Sequence, residues 1–526
     1  MKKNYNLLFC AVMMLSFISV NGQQRYIDDV FESTSVESNI VYGSNISILL
    51  APQGIIEPID LVMDIYTPDG DDVTDRPVMI VIGTGNFLPQ YFNGGITGGL
   101  QDSINVNTCK RLAAKGYVAA NITYRQGWAP LAEDQDTRTA TLLQAAYRGI
   151  QDARTAVRFL RKTFAEDGNP YGIDPNKVGM WGIGTGGYVS LGASVLDRYE
   201  EVVLDKFLNS QTLEPLIDTT IIGNPYATTQ AAASLPNHVG YSSDFSICVN
   251  VGGAMGDISW LEGKENEPAF VGFHATGDIF APFPDGPVIV PTTNEFVVNV
   301  SGTRTVIDSA NMKGNNDVFD AILDEFDPLS ANVEAQSAAT IQWSENYSTS
   351  AGVENMYAFQ TPIPIGSPWN WWNKNTLDLQ IAFINASIGT TFNADTLHQN
   401  GLLTNPNMSA AQGMAYLDTM MLYFAPRGCV ALDLGCLITG VNELKPLDVG
   451  LKVYPNPVRN MTTIQVNLDE SIDKVYLYSI EGRLVKSERG INSNVYQLDR
   501  NNLPSGSYIA KIHTESGVVA QKIQFE

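Results

Sequence analysis

The stretch Val178-Gly179-Met180-Trp181-Gly182-Ile183-Gly184-Thr185-Gly186-Gly187 decides the fold of this chain. An apolar strand runs without a break into a turn that holds four glycines, and the residues after Gly187 continue as a helix. The flanking sequence repeats that strand-to-helix pattern. Residues 61–66 alternate and stop at Thr67-Pro68, and residues 78–82 are continuously apolar, as suits the interior of a parallel sheet. Further strands read at 116–125, behind a short amphipathic helix at 109–115, and at 245–251 and 269–273. From Leu143 the residues Ala146, Ile150, Ala153, Val157 and Leu160 form one buried helical stripe, on which Arg148 and Asp152 lie four apart and pair. Residues 172–177 read as a turn. The alternation predicts an α/β fold, a mostly parallel sheet with helices on both faces. Residues 284–408 show no repeat and few caps and read as insertions around the last strands, before a closing helix at 410–424.

With 526 residues, 44% hydrophobic and 17% charged, the chain can build one large core and one small one. Its net charge of -24 argues against nucleic acid and anionic membranes as partners. Residues 1–22 carry Lys2 and Lys3, an apolar run at 7–20 and a small residue at Gly22, the layout of a secretory signal peptide. No later run is long enough for a transmembrane anchor. Cys429 and Cys436 are near enough in sequence to close a short loop, with buried free thiols as the equal alternative. No CxxC pair or His/Cys cluster suggests zinc, and Asp69-Gly70-Asp71-Asp72 lacks the spacing of a calcium loop. Neither a metal nor a cofactor is expected.

Residues 437–450, with Gly440, Pro446 and Gly450, read as a linker between a body at 23–436 and a C-terminal domain at 451–526. There the pattern changes to short period-two strands at 462–466, 474–479, 484–486, 495–498, 508–512 and 518–523, a small antiparallel β-sandwich. Its segments Tyr454-Pro455-Asn456-Pro457, Glu481-Gly482-Arg483-Leu484-Val485, Leu503-Pro504-Ser505-Gly506-Ser507-Tyr508 and Gln521-Lys522-Ile523 resemble the type A sorting domain of the Bacteroidetes type IX secretion system. The resemblance implies Sec export followed by type IX secretion, that machinery as the partner of 451–526, and a secreted or cell-surface location.

The body resembles the carboxylesterase and lipase branch of the α/β-hydrolase fold. The resemblance is carried by Asp64-Ile65-Tyr66-Thr67-Pro68, Asn121-Ile122-Thr123-Tyr124-Arg125, the segment 151–161 (QDARTAVRFLR) and the segment 172–182 (GIDPNKVGMWG). That family sets a serine on a sharp turn, G-x-S-x-G, to expose its hydroxyl to a base and an oxyanion hole. Here Gly182 and Gly186 frame the turn and Gly184 stands at the nucleophile position, with no side chain to attack. Thr185 follows, where the family uses the backbone N–H. The oxyanion loop departs too, reading Gly83-Thr84-Gly85-Asn86-Phe87, with the N–H groups of Thr84 and Gly85 as candidate donors alongside Thr185. Phe273-His274-Ala275-Thr276-Gly277-Asp278 resembles the segment of the orienting acid, which makes Asp278 the acid. Ile365-Gly366-Ser367-Pro368-Trp369 puts Gly366 where the base would stand. Of the other histidines, His238 precedes a strand, His513 lies in the sorting domain, and His398, ahead of the closing helix, is the candidate base on a rearranged loop.

Gly182, Gly184 and Gly187 also satisfy G-x-G-x-x-G, with Asp205 18 residues further on, but the upstream segments and the export signals disfavour a dinucleotide site. Trp369, Trp371 and Trp372 form a cluster able to stack on a sugar ring or another flat ligand. The first expectation is therefore a secreted, catalytically degenerate carboxylesterase-like protein. An active ester hydrolase using Thr185, His398 and Asp278, and a non-catalytic surface protein binding an ester or glycan, are the alternatives.

Overall fold

The structure is a computed structural model that describes residues 23–289, 295–323, 326–344, 347–436, 444–468, 470–479, 484–501, 503–514 and 516–526. The expected signal peptide at 1–22, residues 437–443 of the expected linker, and Glu481-Gly482-Arg483 lie outside these.

Eight strands form the central sheet: β1 (Thr34–Ser47), β2 (Glu57–Pro68), β3 (Arg76–Ile82), β4 (Val118–Ile122), β5 (Ile173–Ile183), β6 (Ile247–Val251), β7 (Ala269–Ala275) and β8 (Met356–Phe359). Their spatial order is β1-β2-β4-β3-β5-β6-β7-β8. Strand β2 is antiparallel to both of its neighbours, and β3 to β8 pair in parallel. The period of two decides the layering. On β3 the side chains of Val78, Ile80 and Ile82 enter a core with α2 (Gln135–Glu166) and α3 (Thr185–Val195), while Met79 and Val81 enter the opposite core. That second core is shared with α1 (Ser103–Ala114) and the long helix at the end of the body (Ala410–Ala431). All seven β3 residues are buried, and residues 78–82 read as an unbroken apolar run because both faces of the strand are covered.

Several expectations are corrected. Residues 172–177 are largely strand, because Ile173 already pairs with Arg76 and extends β5. The helix expected at 109–115 begins at Ser103, behind Asp102. Arg148 does not pair with Asp152; it donates to the Gly127 carbonyl. Asp152 instead meets Arg125 at 2.9 Å and accepts the Arg125 backbone N–H at 2.8 Å, both side chains fully buried. Residues 284–408 hold α4 (Thr303–Met312), α5 (Lys374–Ile388) and α6 (Ala394–Leu403) as well as β8, and the closing helix is α7 (Ala410–Ala431). Cys429 and Cys436 are disulfide-bonded, and Cys109 and Cys248 are buried thiols.

The C-terminal unit has two small antiparallel sheets. One joins Lys452–Tyr454, Met461–Gln465 and Val495–Asp499, and the other joins Ile472–Ser479, Leu484–Glu488, Gly506–Thr514 and Gly517–Phe525. Val458, Ile464, Leu477, Ile512, Val519 and Ile523 fill the space between them, and Val449, inside the expected linker, is buried in the same core.

Candidate functional site

The sheet register brings the ends of three strands together, since Ile82 pairs with Gly182 and Gly182 with Asn250. At that edge β5 turns into α3 through Gly184, at φ 56° and ψ −117°. This backbone region strains any residue with a Cβ. The turn is locked by Gly184 N–H on the Val251 carbonyl at 2.8 Å and Gly187 N–H on the Gly184 carbonyl at 2.9 Å. It is also packed tight, because a methyl group on Gly186 would overlap the Ile82 carbonyl oxygen. The strand-to-helix turn is therefore sharp and tightly packed, with Gly184 at its tip.

The space beyond that tip is filled from β3's loop. A Cβ on Gly184 would overlap Thr84 Oγ1 and stand 2.8 Å from Thr84 Cβ. The same hydroxyl accepts the Thr185 N–H at 3.4 Å, so it covers the donor that the hydrolase pattern assigns to an oxyanion. Thr185's own hydroxyl lies 3.1 Å from Tyr124 Oη, which in turn donates to the Gly83 carbonyl at 3.3 Å. Burial pushes the Tyr124 phenol up to about 12, which keeps it a neutral partner at ordinary pH.

Asp278 follows β7 and is 7% exposed. Its Oδ1 accepts the backbone N–H groups of Phe280 at 2.8 Å and Ala281 at 3.2 Å. Burial raises its carboxyl to about 7 against those stabilising bonds. His274 is wholly buried, 2.7 Å from Thr303 Oγ1 through Nδ1, and its Nε2 stands 3.9 Å from Asp278 Oδ2. Burial holds that imidazole down at about 4, hence neutral. Gly366 lies against Asp278, since a Cβ there would be 2.8 Å from Asp278 Cγ. His398 sits on α6, where its Nδ1 accepts the Trp372 indole N–H at 3.0 Å. His238 reaches the Tyr42 carbonyl at 2.8 Å, and His513 packs on Tyr476 in the C-terminal sheets. Among the described residues no histidine hydrogen-bonds the Asp278 carboxyl.

Thr84, Gly184, Thr185 and Asp278 share one wall of a cavity of about 500 Å³. The rest of its lining is dominated by apolar side chains, Phe87, Trp128, Phe207, Trp260, Phe280 and Val300 among them. Trp369, 2% exposed, and Trp372 both face the cavity, whereas Trp371 packs against Gly413 on α7 and is not part of the wall. The three tryptophans thus do not form one exposed platform. Gly85 turns its carbonyl to the Asn93 amide at 3.2 Å and is not among the lining residues.

Three contributors escaped the sequence reading: the Thr84 side chain, Tyr124, and the α5–α6 pair that carries Asn400, Gly401 and Leu403 to the mouth. The pair had a signal in Asn373 and Asn393, each capping its helix by accepting a threonine N–H three residues on. Among the described residues no group of three or more His, Cys, Asp or Glu gathers to hold a metal ion, and no helix is long and apolar enough to cross a membrane.

Residues 63–230 match the family described as BD-FAE. That segment is an esterase-like α/β-hydrolase domain. Residues 452–526 of this hydrolase-fold chain match the family described as Secretion system C-terminal sorting domain, the type IX sorting tail. Among solved structures it is similar to the native thermophilic esterase 2 of the Planctomycetes species Thermogutta terrifontis. That pair is 14% identical at a TM-score of 0.28, over 69% of this chain and 95% of the other. A truncated carbohydrate esterase from gut microbiota is 18% identical, at a TM-score of 0.28, over 48% and 79%. An α/β hydrolase from a Medee basin deep-sea metagenome library is 12% identical, at a TM-score of 0.24, over 47% and 72%. No curated protein matches the chain.

Proposed function

We propose that this esterase-like α/β-hydrolase body is a secreted ligand-binding protein that takes an apolar molecule into its cavity without hydrolysing it. One observation carries the reading: the nucleophile turn keeps its backbone while Gly184 and the Thr84 hydroxyl replace the attacking group and cover the Thr185 N–H. A serine-type reaction needs a nucleophile in hydrogen-bond reach of a base that a third group orients. Gly184 and Gly366 each withhold one of those groups. The bond from Thr185 to Tyr124 and that from His398 to Trp372 weaken the alternative of a displaced Thr185–His398–Asp278 triad. A cavity of about 500 Å³ with a few polar groups suits a drug-sized apolar ligand. The sorting tail supports delivery by type IX secretion to the cell surface or beyond, with residues 1–22 as the Sec signal.

The test is hydrolysis of short-chain aryl esters by the purified mature protein and by Thr185→Ala, alongside calorimetric binding of 4-phenylbutanol. Binding without turnover is expected in both proteins. Turnover that disappears in Thr185→Ala would instead establish an active hydrolase.

A further inference from the structure

The cavity wall carries an uneven set of charges. Among the described residues that line it, no Lys, Arg or His appears, and Asp278 is its one carboxyl. Oδ1 of that carboxyl is held by two backbone N–H groups. Among the described residues no hydrogen bond reaches Oδ2, and His274 Nε2 stands 3.9 Å from it. A Cβ on Gly252 would stand 3.2 Å from Trp369 Cζ2 and 3.8 Å from Asp278 Oδ2, so the indole and the unfilled carboxyl oxygen flank the same glycine. Phe280 and Trp372 also face this cavity.

A carboxyl beside aromatic rings in a dry pocket attracts a cation twice, by charge and through the negative faces of the rings. An anionic ligand meets the opposite conditions. It would approach an uncompensated carboxyl in a chain of net charge -24. The natural attraction for an anion here is the N-terminus of α3, but its leading N–H, that of Thr185, is already accepted by Thr84 Oγ1. A long apolar tail has room on the far side, among Leu143, Ile150, Phe207, Trp260 and Val298.

We propose that the cavity selects a hydrophobic cation, an amine or quaternary ammonium group on an apolar tail, with Asp278 as its counter-ion and Trp369 beside the charged head. The proposal rests on the binding reading above and adds the chemical class of the ligand. Two titratable groups face Asp278 from the elements around it. His274 of β7 is held neutral by burial, and the phenol of Tyr188 on α3 is raised by burial and by Asp278 itself, so neither supplies a competing charge near neutral pH. Burial raises the carboxyl itself to about 7. A permanent cation favours the carboxylate, so its affinity rises as pH climbs through that value, and binding at neutral pH releases a proton.

The test uses the mature full chain and three probes with one tail: (4-phenylbutyl)trimethylammonium, 4-phenylbutanol and 4-phenylbutanoate, titrated by calorimetry at pH 5.5 and pH 8.5. At pH 8.5 the ammonium is expected to bind at least about tenfold more tightly than the alcohol, and the carboxylate more weakly than either. The preference should shrink at pH 5.5 and vanish in Asp278→Asn. The wild-type comparison needs no variant to fold. If the alcohol binds and the ammonium binds no better at pH 8.5, the charge selection is overturned and the binding reading stands. If none of the three binds, both are overturned.

Discussion

Gly184 holds a backbone conformation that a serine tolerates only under strain, and the neighbouring Thr84 leaves that serine no room. Gly184→Ser alone is therefore expected to gain no aryl-ester turnover and to lose about 1–3 kcal/mol of stability. Adding Thr84→Ala should return part of that loss, and thermal unfolding of the three proteins measures both effects. Asp278 makes a separate prediction at the same scale. Its carboxyl is raised to about 7 in the folded protein against an ordinary value of 3.8, so the folded state binds the extra proton between those values. The contribution to stability is present at low pH and falls as pH rises from about 4 to about 7. Relative to Asp278→Asn, wild type should lose stability across that window and run parallel above it, in denaturant titrations at stepped pH. The turn with Gly184 at its tip was legible because the framing glycines Gly182 and Gly186 fix its position within five residues. The role of the Thr84 side chain was not, because it depends on a loop 101 residues away in sequence meeting the end of β5.

Among the elements, the strands that read most clearly are those buried on both faces, β3, β6 and β7, which are apolar except for single polar residues, Arg76, Asn250 and His274. β1 was missed for the converse reason. It is an edge strand, largely exposed through its first half and paired only with β2, so no apolar pattern marks it. The α5–α6 pair was missed because its apolar residues point two ways: Leu377 and Ile381 are buried while Leu379 and Phe383 are 74% and 72% exposed, which blurs a single stripe. The ion pair that joins the end of β4 to α2 was misassigned by the rule for neighbours on one helix. Asp152 points toward Arg125, where it accepts from both the guanidinium and the backbone N–H, while the equally buried Arg148 donates to the Gly127 carbonyl. Asp152→Ala should then cost about 3–5 kcal/mol, because it strands a buried guanidinium, and urea unfolding of the two proteins would reveal a surface-sized loss if the pair were marginal.

At the scale of the whole molecule, an esterase-like body and a sorting tail are joined in one chain, and their separation was legible because the hydrophobic period changes from mixed α/β to strict alternation beyond residue 450. The boundary itself was less legible: Val449 belongs to the C-terminal core although its sequence surroundings read as linker. The body carries an eight-stranded sheet with a glycine turn at the end of β5, and on the proposed reading Gly184 and Gly366 stand where a nucleophile and a base would be, beside Asp278. Such a molecule should accept a ligand and leave its bonds intact. The most direct measurement is the intact mass of the mature protein after prolonged exposure to an excess of an alkyl fluorophosphonate, which labels activated serine and threonine hydroxyls. No added mass is expected on the wild-type chain, and a stoichiometric adduct mapping to Thr185 or Thr84 would contradict a non-hydrolytic site.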